Sequence, residues 1–160
     1  MESDQEKLGR IAADVMFPML DRLDRHLPST FDLTLSTLKG HLLIEEQLDN
    51  LIAARLPNPS ALEGERLSFD LKIKLARALT REDHPEVWLA LRKLNKLRNS
   101  LAHKLEDSKA QGLLEEFVKA TESTGYVDRF DLSLEDRFGV CIYWQVSYLH
   151  HLAVRRNAEP

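Results

Sequence analysis

Hydrophobic residues recur at intervals of three and four positions along almost the whole chain, which is the spacing of amphipathic α-helices. No stretch shows the alternation of apolar and polar positions that would indicate a β-strand. The pattern predicts an all-α fold, a bundle of five to six mainly antiparallel helices in a single domain, residues 1–160. The predicted helices span about residues 5–26, 32–55, 68–80, 86–105, 108–122 and 133–155.

Polar residues at the predicted helix starts supply N-caps, because Ser, Thr, Asp and Asn side chains accept hydrogen bonds from free backbone N–H groups. Ser29 or Thr30 is the predicted cap of the second helix, and Ser68 that of the third. Asp83 is predicted to cap the fourth helix and Ser133 the last.

Two of the predicted helices raise questions about burial. The last helix is apolar on most faces between Val140 and Leu152, which indicates a central helix or one side of an oligomer interface. The second helix has one predicted apolar stripe, made of Leu35, Leu38, Leu42 and Ile52. Glu45 and Asp49 fall inside that stripe. A carboxylate facing a core needs a cation or several hydrogen-bond donors, so both residues require a partner.

Composition narrows the class of protein without identifying it. Of 160 residues 43% are hydrophobic, and the formal net charge is −4 at pH 7. A globular protein fits these values, and contact with nucleic acid would have to use a local basic patch. No apolar run reaches the ~20 residues of a membrane span, and no signal peptide is recognisable. The single cysteine, Cys141, lies in an apolar run, so we expect a reducing cytoplasm and no membrane attachment.

The predicted fourth helix carries polar residues at fixed offsets in the stretch LNKLRNSLAHKLE, residues 94–106. At ~100° per residue its leucines form the core stripe, and Arg98 lies at the edge of that stripe. Asn99 and His103, four residues apart, share a different face and can touch. Arg98 and His103 are ~140° apart by the same spacing, so they meet only if the arginine curls round or a second molecule completes the site.

Arg98 is the expected partner of Glu45 or Asp49, and His41, four residues before Glu45, could join that network. This leaves two interpretations open. In one, Arg98 makes only an ion pair at the edge of the core, and Asn99 and His103 belong to a solvated face. In the other, the three polar residues of the fourth helix form a site.

The run R-N-S-L-A-H, residues 98–103, matches the R-N-x-x-x-H form of the R-x(4–6)-H motif, so the chain resembles proteins of the HEPN superfamily. The longer run LSFDLKIKLARAL…WLALRKLNKLRNSLAH resembles the mannitol-repressor-like branch of such helical proteins, and that similarity covers about residues 40–106. The resemblance implies a helical bundle that forms a homodimer. In HEPN ribonucleases two copies of the motif meet across the dimer, and RNA is cut without a metal.

Carried over by position, the resemblance implies that Arg98 and His103 are the catalytic pair and that Asn99 is the polar residue after the arginine. Histidine can act as acid or base near neutral pH, and arginine stays charged and binds phosphate oxygens in pairs. Glu45 would support the arginine. Lys96 and Lys104 flank the motif and could follow a phosphate backbone, although such lysines are usually just part of a solvated face.

Other chemistry finds little support in the sequence. There is no H-x-x-x-H, H-E-x-x-H or C-x-x-C spacing and no glycine-rich phosphate loop, so we predict no metal site and no cofactor. Two hypotheses from different classes remain. The first is a HEPN-type metal-independent endoribonuclease, a toxin of a toxin–antitoxin or defence system, with RNA as substrate and an antitoxin as protein partner. The second is a non-catalytic mannitol-repressor-like regulator or protein-interaction module.

Overall fold

The computed structural model describes residues 21–81, 83–103, 108–125, 127 and 131–155, with the side chain of His103 left out. Within these ranges the regular structure is entirely helical, which confirms the predicted fold class. The elements are α1 (residues 21–26), α2 (Leu33–Arg55), a short 3₁₀ helix (Pro59–Leu62), α3 (Phe69–Ala78), α4 (Pro85–His103), α5 (Ala110–Glu122) and α6 (Leu134–Val154). The predicted helical residues 5–20 lie outside the described residues.

Side-chain caps begin three of the helices, and one of them is not the predicted one. Ser68 accepts a hydrogen bond from the backbone N–H of Leu71 at 3.2 Å, and Ser133 accepts one from Asp136 at 3.1 Å, as predicted. The prediction of Ser29 or Thr30 for α2 is wrong. Asp32 is the cap and accepts from the N–H of Leu35 at 2.6 Å, because the chain does not enter the helix until Leu33.

Asp83 is also not the cap of α4. The helix begins at Pro85, whose ring has no N–H to satisfy and whose fixed φ suits a first helical residue. The cap position therefore falls on His84. Asp83 instead accepts two hydrogen bonds from the guanidinium of Arg77, at 2.8 Å from Nε and 2.6 Å from Nη2, and so ties the end of α3 to the start of α4.

The longest helices, α2 and α6, pack side by side and run in the same direction. Gly40 of α2 lies against Ile142 of α6, and further along His150 Nδ1 is 3.1 Å from Gln47 Oε1. Arg55, the last residue of α2, donates to the carbonyl oxygen of Leu152 at 2.6 Å. This parallel pair departs from the mainly antiparallel arrangement that short connections predict, because four other elements separate α2 from α6 in the chain.

The α5–α6 pair is antiparallel. Arg137, near the start of α6, donates to both carboxylate oxygens of Glu122, the last residue of α5, at 2.7 Å each. One turn further along α6, the buried thiol of Cys141 faces the carbonyl oxygen of Val118 at 3.9 Å. The burial of α6 agrees with its apolar sequence, since seven of its residues are buried: Phe138, Cys141, Ile142, Gln145, Val146, Leu149 and Leu152.

The core stripe of α4 lies where the sequence places it as far as Leu97, whereas Leu101 is half-buried and Leu105 lies outside the described residues. Its inward side chains are fully buried, and they are Val87, Trp88, Ala90, Leu91, Leu94 and Leu97. Phe117 of α5 and Phe138 of α6 pack edge to face within the same core, with ring centres 5.4 Å apart. The motif helix is therefore anchored along most of its length by apolar contacts.

The predicted apolar stripe of α2 is correct only in part, because Ile52 is buried but two of its leucines are exposed. Leu35 is 42% exposed and Leu42 is 63% exposed, whereas Ile44, Leu48 and Leu51 are fully buried. The reason is that α2 carries apolar residues on two faces, and its close approach to α6 at Gly40 turns the Ile44 face inward. As a result Glu45 is half-buried at the edge of the core and Asp49 is exposed, so neither carboxylate lies inside the core.

Among the helices of the described residues, none is long and apolar enough to cross a membrane.

Candidate functional site

The motif residues occupy the last turns of α4. Arg98 is half-buried and Asn99 is exposed, and Arg98 Nη1 donates a hydrogen bond to Asn99 Oδ1 at 3.1 Å. His103 is the last residue of the helix. Its side chain, like the whole of Lys104, lies outside the described residues. Lys96 is exposed on the same helix. The structure thus brings Arg98 and Asn99 together and presents them at an accessible helix end.

The expected ion pair between Arg98 and the carboxylates of α2 is not what the structure shows. Lys72 of α3 takes that place, with its Nζ 3.0 Å from Glu45 Oε1 and 2.8 Å from Asp49 Oδ2. The Lys72 side chain is only 12% exposed, so the lysine lies over the α2 surface and closes the groove between the two helices. Glu45 and Asp49 are thus paired with Lys72, and the ion pair that the sequence predicted between them and Arg98 is replaced.

His41 of α2 is a buried polar residue, 5% exposed, that contacts the motif helix. Its ring stacks on Phe69 of α3, with centroids 3.9 Å apart and planes 29° from parallel. Its Nε2 is 3.2 Å from Oδ1 of Asn95 on α4. His41 Nδ1 faces Glu45 Oε2 at 3.9 Å, so His41 does join the network of Glu45 as expected. One imidazole thus contacts three helices.

Some neighbours of His41 raise its pKa and others lower it, and burial is the largest effect, so the pKa is lowered. Burial lowers the pKa, while the hydrogen bond to Asn95 and the charge of Glu45 raise it. The positive charges of Arg98 and Lys72 lower it further, and the net result is a pKa below the ordinary 6.5. For Lys72, burial lowers the pKa, but the bonds to Asp49 and Glu45 outweigh it, so the lysine pKa is raised.

We call the residues His41, Glu45, Asp49, Lys72 and Asn95 the polar cluster. It meets the motif on α4, since Asn95 precedes Asn99 by one helical turn and both lie on one face. Arg98 lies one helical turn beyond Asn95 on α4, so the arginine is next to the cluster along the helix, and its positive charge lowers the pKa of His41. The cluster holds two carboxylates, one lysine and one neutral imidazole. Beside it, Arg98 is the cation with the geometry to bind a phosphate.

Sequence reasoning missed Lys72 and Asn95 as members of the cluster. Asn95 had a usable signal, because it lies one turn before Asn99 on a helix face that the core stripe does not use. Lys72 had none, since an exposed-looking lysine in an amphipathic helix does not show which neighbouring helix it will reach.

Metal binding and aromatic stacking are two other kinds of chemistry that side chains of this chain could support. Within the described part of the chain, no group of three or more His, Cys, Asp and Glu side chains is placed to hold a metal ion. Trp144 and Tyr148 stack on each other on α6, with ring centroids 5.1 Å apart and planes 12° from parallel. Both are half-buried, so they belong to the packing of the α6 surface.

Comparison of the chain with protein-family models, with curated proteins and with solved structures finds no match. The resemblance to HEPN proteins therefore rests on the residues of the motif and of the run before it.

Proposed function

We propose that this chain is a HEPN-type metal-independent endoribonuclease of the cytoplasm, with a composite site formed by Arg98 and His103 at a homodimer interface. The observation that supports this most is the accessible Arg98–Asn99 pair on the last turns of α4. These turns end at His103, so one rigid helix carries the three motif residues within six positions. Apolar contacts of the preceding turns hold that helix in place.

The chemistry needs a cation and proton-transfer groups. Arg98 would bind two phosphate oxygens and stabilise the charge that develops on phosphorus. Asn99 accepts a hydrogen bond from Nη1 of Arg98 and so restrains the guanidinium before RNA arrives. His103 would take the proton of the 2′-hydroxyl or return one to the leaving oxygen. One motif supplies one histidine, and a second copy of the chain would supply the other.

Exposed apolar residues on α2 favour a second copy of the chain as the partner. Leu42 and Leu35 occupy the outer face of the helix whose next face holds His41. His41 contacts Asn95 of the motif helix, so α2 and α4 are neighbours. Lys96 is exposed on α4 and would follow the RNA backbone with Lys104.

The test is RNA cleavage in the presence of EDTA by the wild-type chain and by Arg98→Ala and His103→Ala. We expect cleavage by the wild type and its loss in both variants. Arg92→Ala, on the same helix, and His151→Ala, exposed on α6, are matched controls that should remain active. Absence of cleavage by the wild type, or full activity of His103→Ala, would show that the chain is not this kind of nuclease.

A toxin role has its own measurement. Induced expression of the wild type in a bacterial host should stop growth, and expression of His103→Ala should not. Co-expression of the neighbouring gene would then identify an antitoxin by rescue of growth. Equal growth arrest by both chains would contradict a toxin that acts through this site.

The second candidate is a non-catalytic regulator or protein-interaction module of the mannitol-repressor-like type. The exposure of Leu35, at 42%, and of Leu42, at 63%, two turns apart on one face of α2, favours it, because neighbouring exposed apolar side chains mark protein–protein contacts. Under this proposal Leu42→Ser weakens association with the partner while His103→Ala has no effect in any assay. Loss of a cellular effect in His103→Ala alone would exclude it.

A further inference from the structure

His41 is a buried titratable group that the proposed cleavage reaction does not use. It lies on α2, stacks on Phe69 of α3 and bonds to Asn95 of α4, so it is placed where three helices meet. A packing role alone would be filled by an apolar residue of similar size. The imidazole keeps one specific polar contact, 3.2 Å from Nε2 to Asn95 Oδ1.

The contacts assign the proton of the neutral ring. Asn95 Oδ1 is an acceptor, so Nε2 carries the hydrogen and donates it. Nδ1 then has no hydrogen and points towards Glu45 Oε2 at 3.9 Å. Two acceptors therefore face each other across a distance too long for a hydrogen bond, and a proton taken up at Nδ1 would turn that contact into an ion pair.

The charged groups facing His41 come from every helix packed against it. Glu45 lies on its own helix and attracts a proton. Lys72, on α3, is bound to Glu45 and to Asp49 and repels a proton. Arg98, on α4, also repels one. Protonated His41 would therefore compete with Lys72 for Glu45 and would place a second positive charge beside Arg98.

We propose that His41 is a positioning residue for the Arg98–Asn99 turn, and that a proton taken up at Nδ1 draws Glu45 from Lys72 towards His41 while Nε2 keeps its bond to Asn95. Neutral His41 fixes the Asn95 side chain, and Asn95 lies one helical turn before Arg98 and Asn99. Protonation keeps the bond to Asn95, turns the His41–Glu45 contact into an ion pair that competes with Lys72, and repels the guanidinium of Arg98. The regulation of RNA cleavage by His41 rests on the proposed function. The rearrangement of side chains on protonation of His41 does not depend on that function.

Burial supports the direction of this switch. Because burial lowers the pKa of His41, the ring is neutral and bound to Asn95 at neutral pH. At neutral pH Glu45 therefore stays with Lys72 and no positive charge on His41 repels Arg98, and this arrangement changes only on acidification.

The test needs no substrate. In wild-type protein we would follow the ring signals of His41, the side-chain amide signals of Asn95 and the guanidinium signals of Arg98 by NMR while the pH is lowered. We expect His41 to titrate below its ordinary value of 6.5 and the Asn95 and Arg98 signals to shift along the same curve. Constant Asn95 and Arg98 signals during the His41 titration would overturn the proposal.

His41→Gln keeps a neutral donor and removes the titration, so the acid-dependent shifts of Asn95 and Arg98 should disappear. His150→Gln is the matched control, because His150 also has a lowered pKa and also contacts an amide oxygen, that of Gln47, on a different face of α2. It should keep the wild-type shifts. If His41→Gln folds poorly, Glu45→Gln gives the same information: His41 should titrate at still lower pH, with a smaller Asn95 shift.

Cleavage assays then separate the two proposals. If the wild type cleaves RNA, its rate should fall on acidification along the His41 curve, and His41→Gln should keep its neutral-pH rate further into the acid range. A loss of rate through kcat with unchanged KM would agree with misplacement of Arg98. If the cleavage rate of His41→Gln fell on acidification in the same way as that of the wild type, the regulatory role of His41 would be contradicted. If no RNA is cut, the proposed function fails while the coupled NMR shifts still decide the rearrangement.

Discussion

Gly40 of α2 lies so close to Ile142 of α6 that a side chain at position 40 would clash with the isoleucine. A Cβ placed on Gly40 would lie 2.8 Å from Cδ1 and 3.1 Å from Cγ1 of Ile142. Real Cβ atoms are not found at 2.8 Å from carbon, and Ile142 is fully buried with little room to move. The absence of a side chain at position 40 therefore allows α2 and α6 to pack at this distance.

We expect Gly40→Ala to destabilise the fold. Alanine would gain up to ~1 kcal/mol of helix propensity over glycine. Overpacking against a buried isoleucine costs about 1–3 kcal/mol, so the net effect is a loss of about 1 kcal/mol. Chemical denaturation measures it. Gly139→Ala, in α6 with nothing within 4 Å of an added Cβ, is the control and should be neutral or stabilising. A Gly40→Ala chain as stable as the wild type would show that Ile142 yields freely.

Arg137→Ala should cost more than loss of any exposed ion pair. Glu122 has only 3% of its side chain exposed, and both of its oxygens are bound by Arg137. Removal of the arginine leaves a buried carboxylate without that partner. We expect about 2 kcal/mol of destabilisation, below the ~3–5 kcal/mol of a fully buried pair because Arg137 is partly exposed. Arg77→Ala, which breaks the exposed pair with Asp83, is the control and should change the melting temperature little. Equal losses in the two variants would contradict the importance of burial.

Stability should fall on mild acidification because of His41 and His150. Burial lowers both pKa values below the ordinary 6.5. Between the folded and unfolded pKa values the unfolded chain binds protons that the folded chain does not, so the free energy of unfolding rises with pH there. The contribution is complete above 6.5 and is lost as the pH falls towards the folded pKa values. Each single glutamine variant should reduce this dependence in part, and the double variant should reduce it most. An unchanged profile in the double variant would assign the pH dependence to carboxylates.

Cys141 should be inert to thiol reagents in the folded state. Burial raises its pKa to about 12, and the carboxylate of Glu122 adds to this, so the thiolate is scarce at neutral pH. We expect alkylation at pH 8 to proceed only as fast as the protein opens, and to become rapid in denaturant. Val118→Ala, which leaves the carbonyl facing Cys141 but loosens its packing, should speed alkylation. Rapid labelling of the native wild type would show that α6 is less well covered than its buried residues indicate.

Local sequence patterns predicted the positions of the described helices from α2 to α6. They did not predict which faces of those helices are buried, because tertiary packing decides that. Ser68 and Ser133 act as caps because a cap depends only on the next three residues. Leu42 was misassigned because α2 has two apolar faces, and the face that turns inward is chosen by the contact of Gly40 with α6, far along the chain. No local pattern contains that information.

The candidate site shows the same division. Periodicity placed Arg98 at the edge of the core stripe and Asn99 outside it, but the hydrogen bond that joins Arg98 to Asn99 was not predicted. Their surroundings were not predicted either, because Lys72 reaches the carboxylates of α2 across a helix pair that only the folded chain creates. His41 was recognised as a neighbour of Glu45, yet its bond to Asn95 joins residues 54 positions apart. Long side chains and distant pairs are what a helical wheel cannot place.

The packing of α2 against α6 also means that α2 is synthesised well before the helix that covers it. Arg55 and the Leu152 carbonyl that it binds are separated by 97 residues. A ribosome adds ~5–20 residues per second, so α2 waits roughly 5–20 seconds for the helix that covers it. During that interval the nascent chain displays the α2 face around Gly40 and Gln47 with no partner. Holding chaperones would meet their substrate at this stage of translation, and a stall before α6 would leave an aggregation-prone fragment on the ribosome.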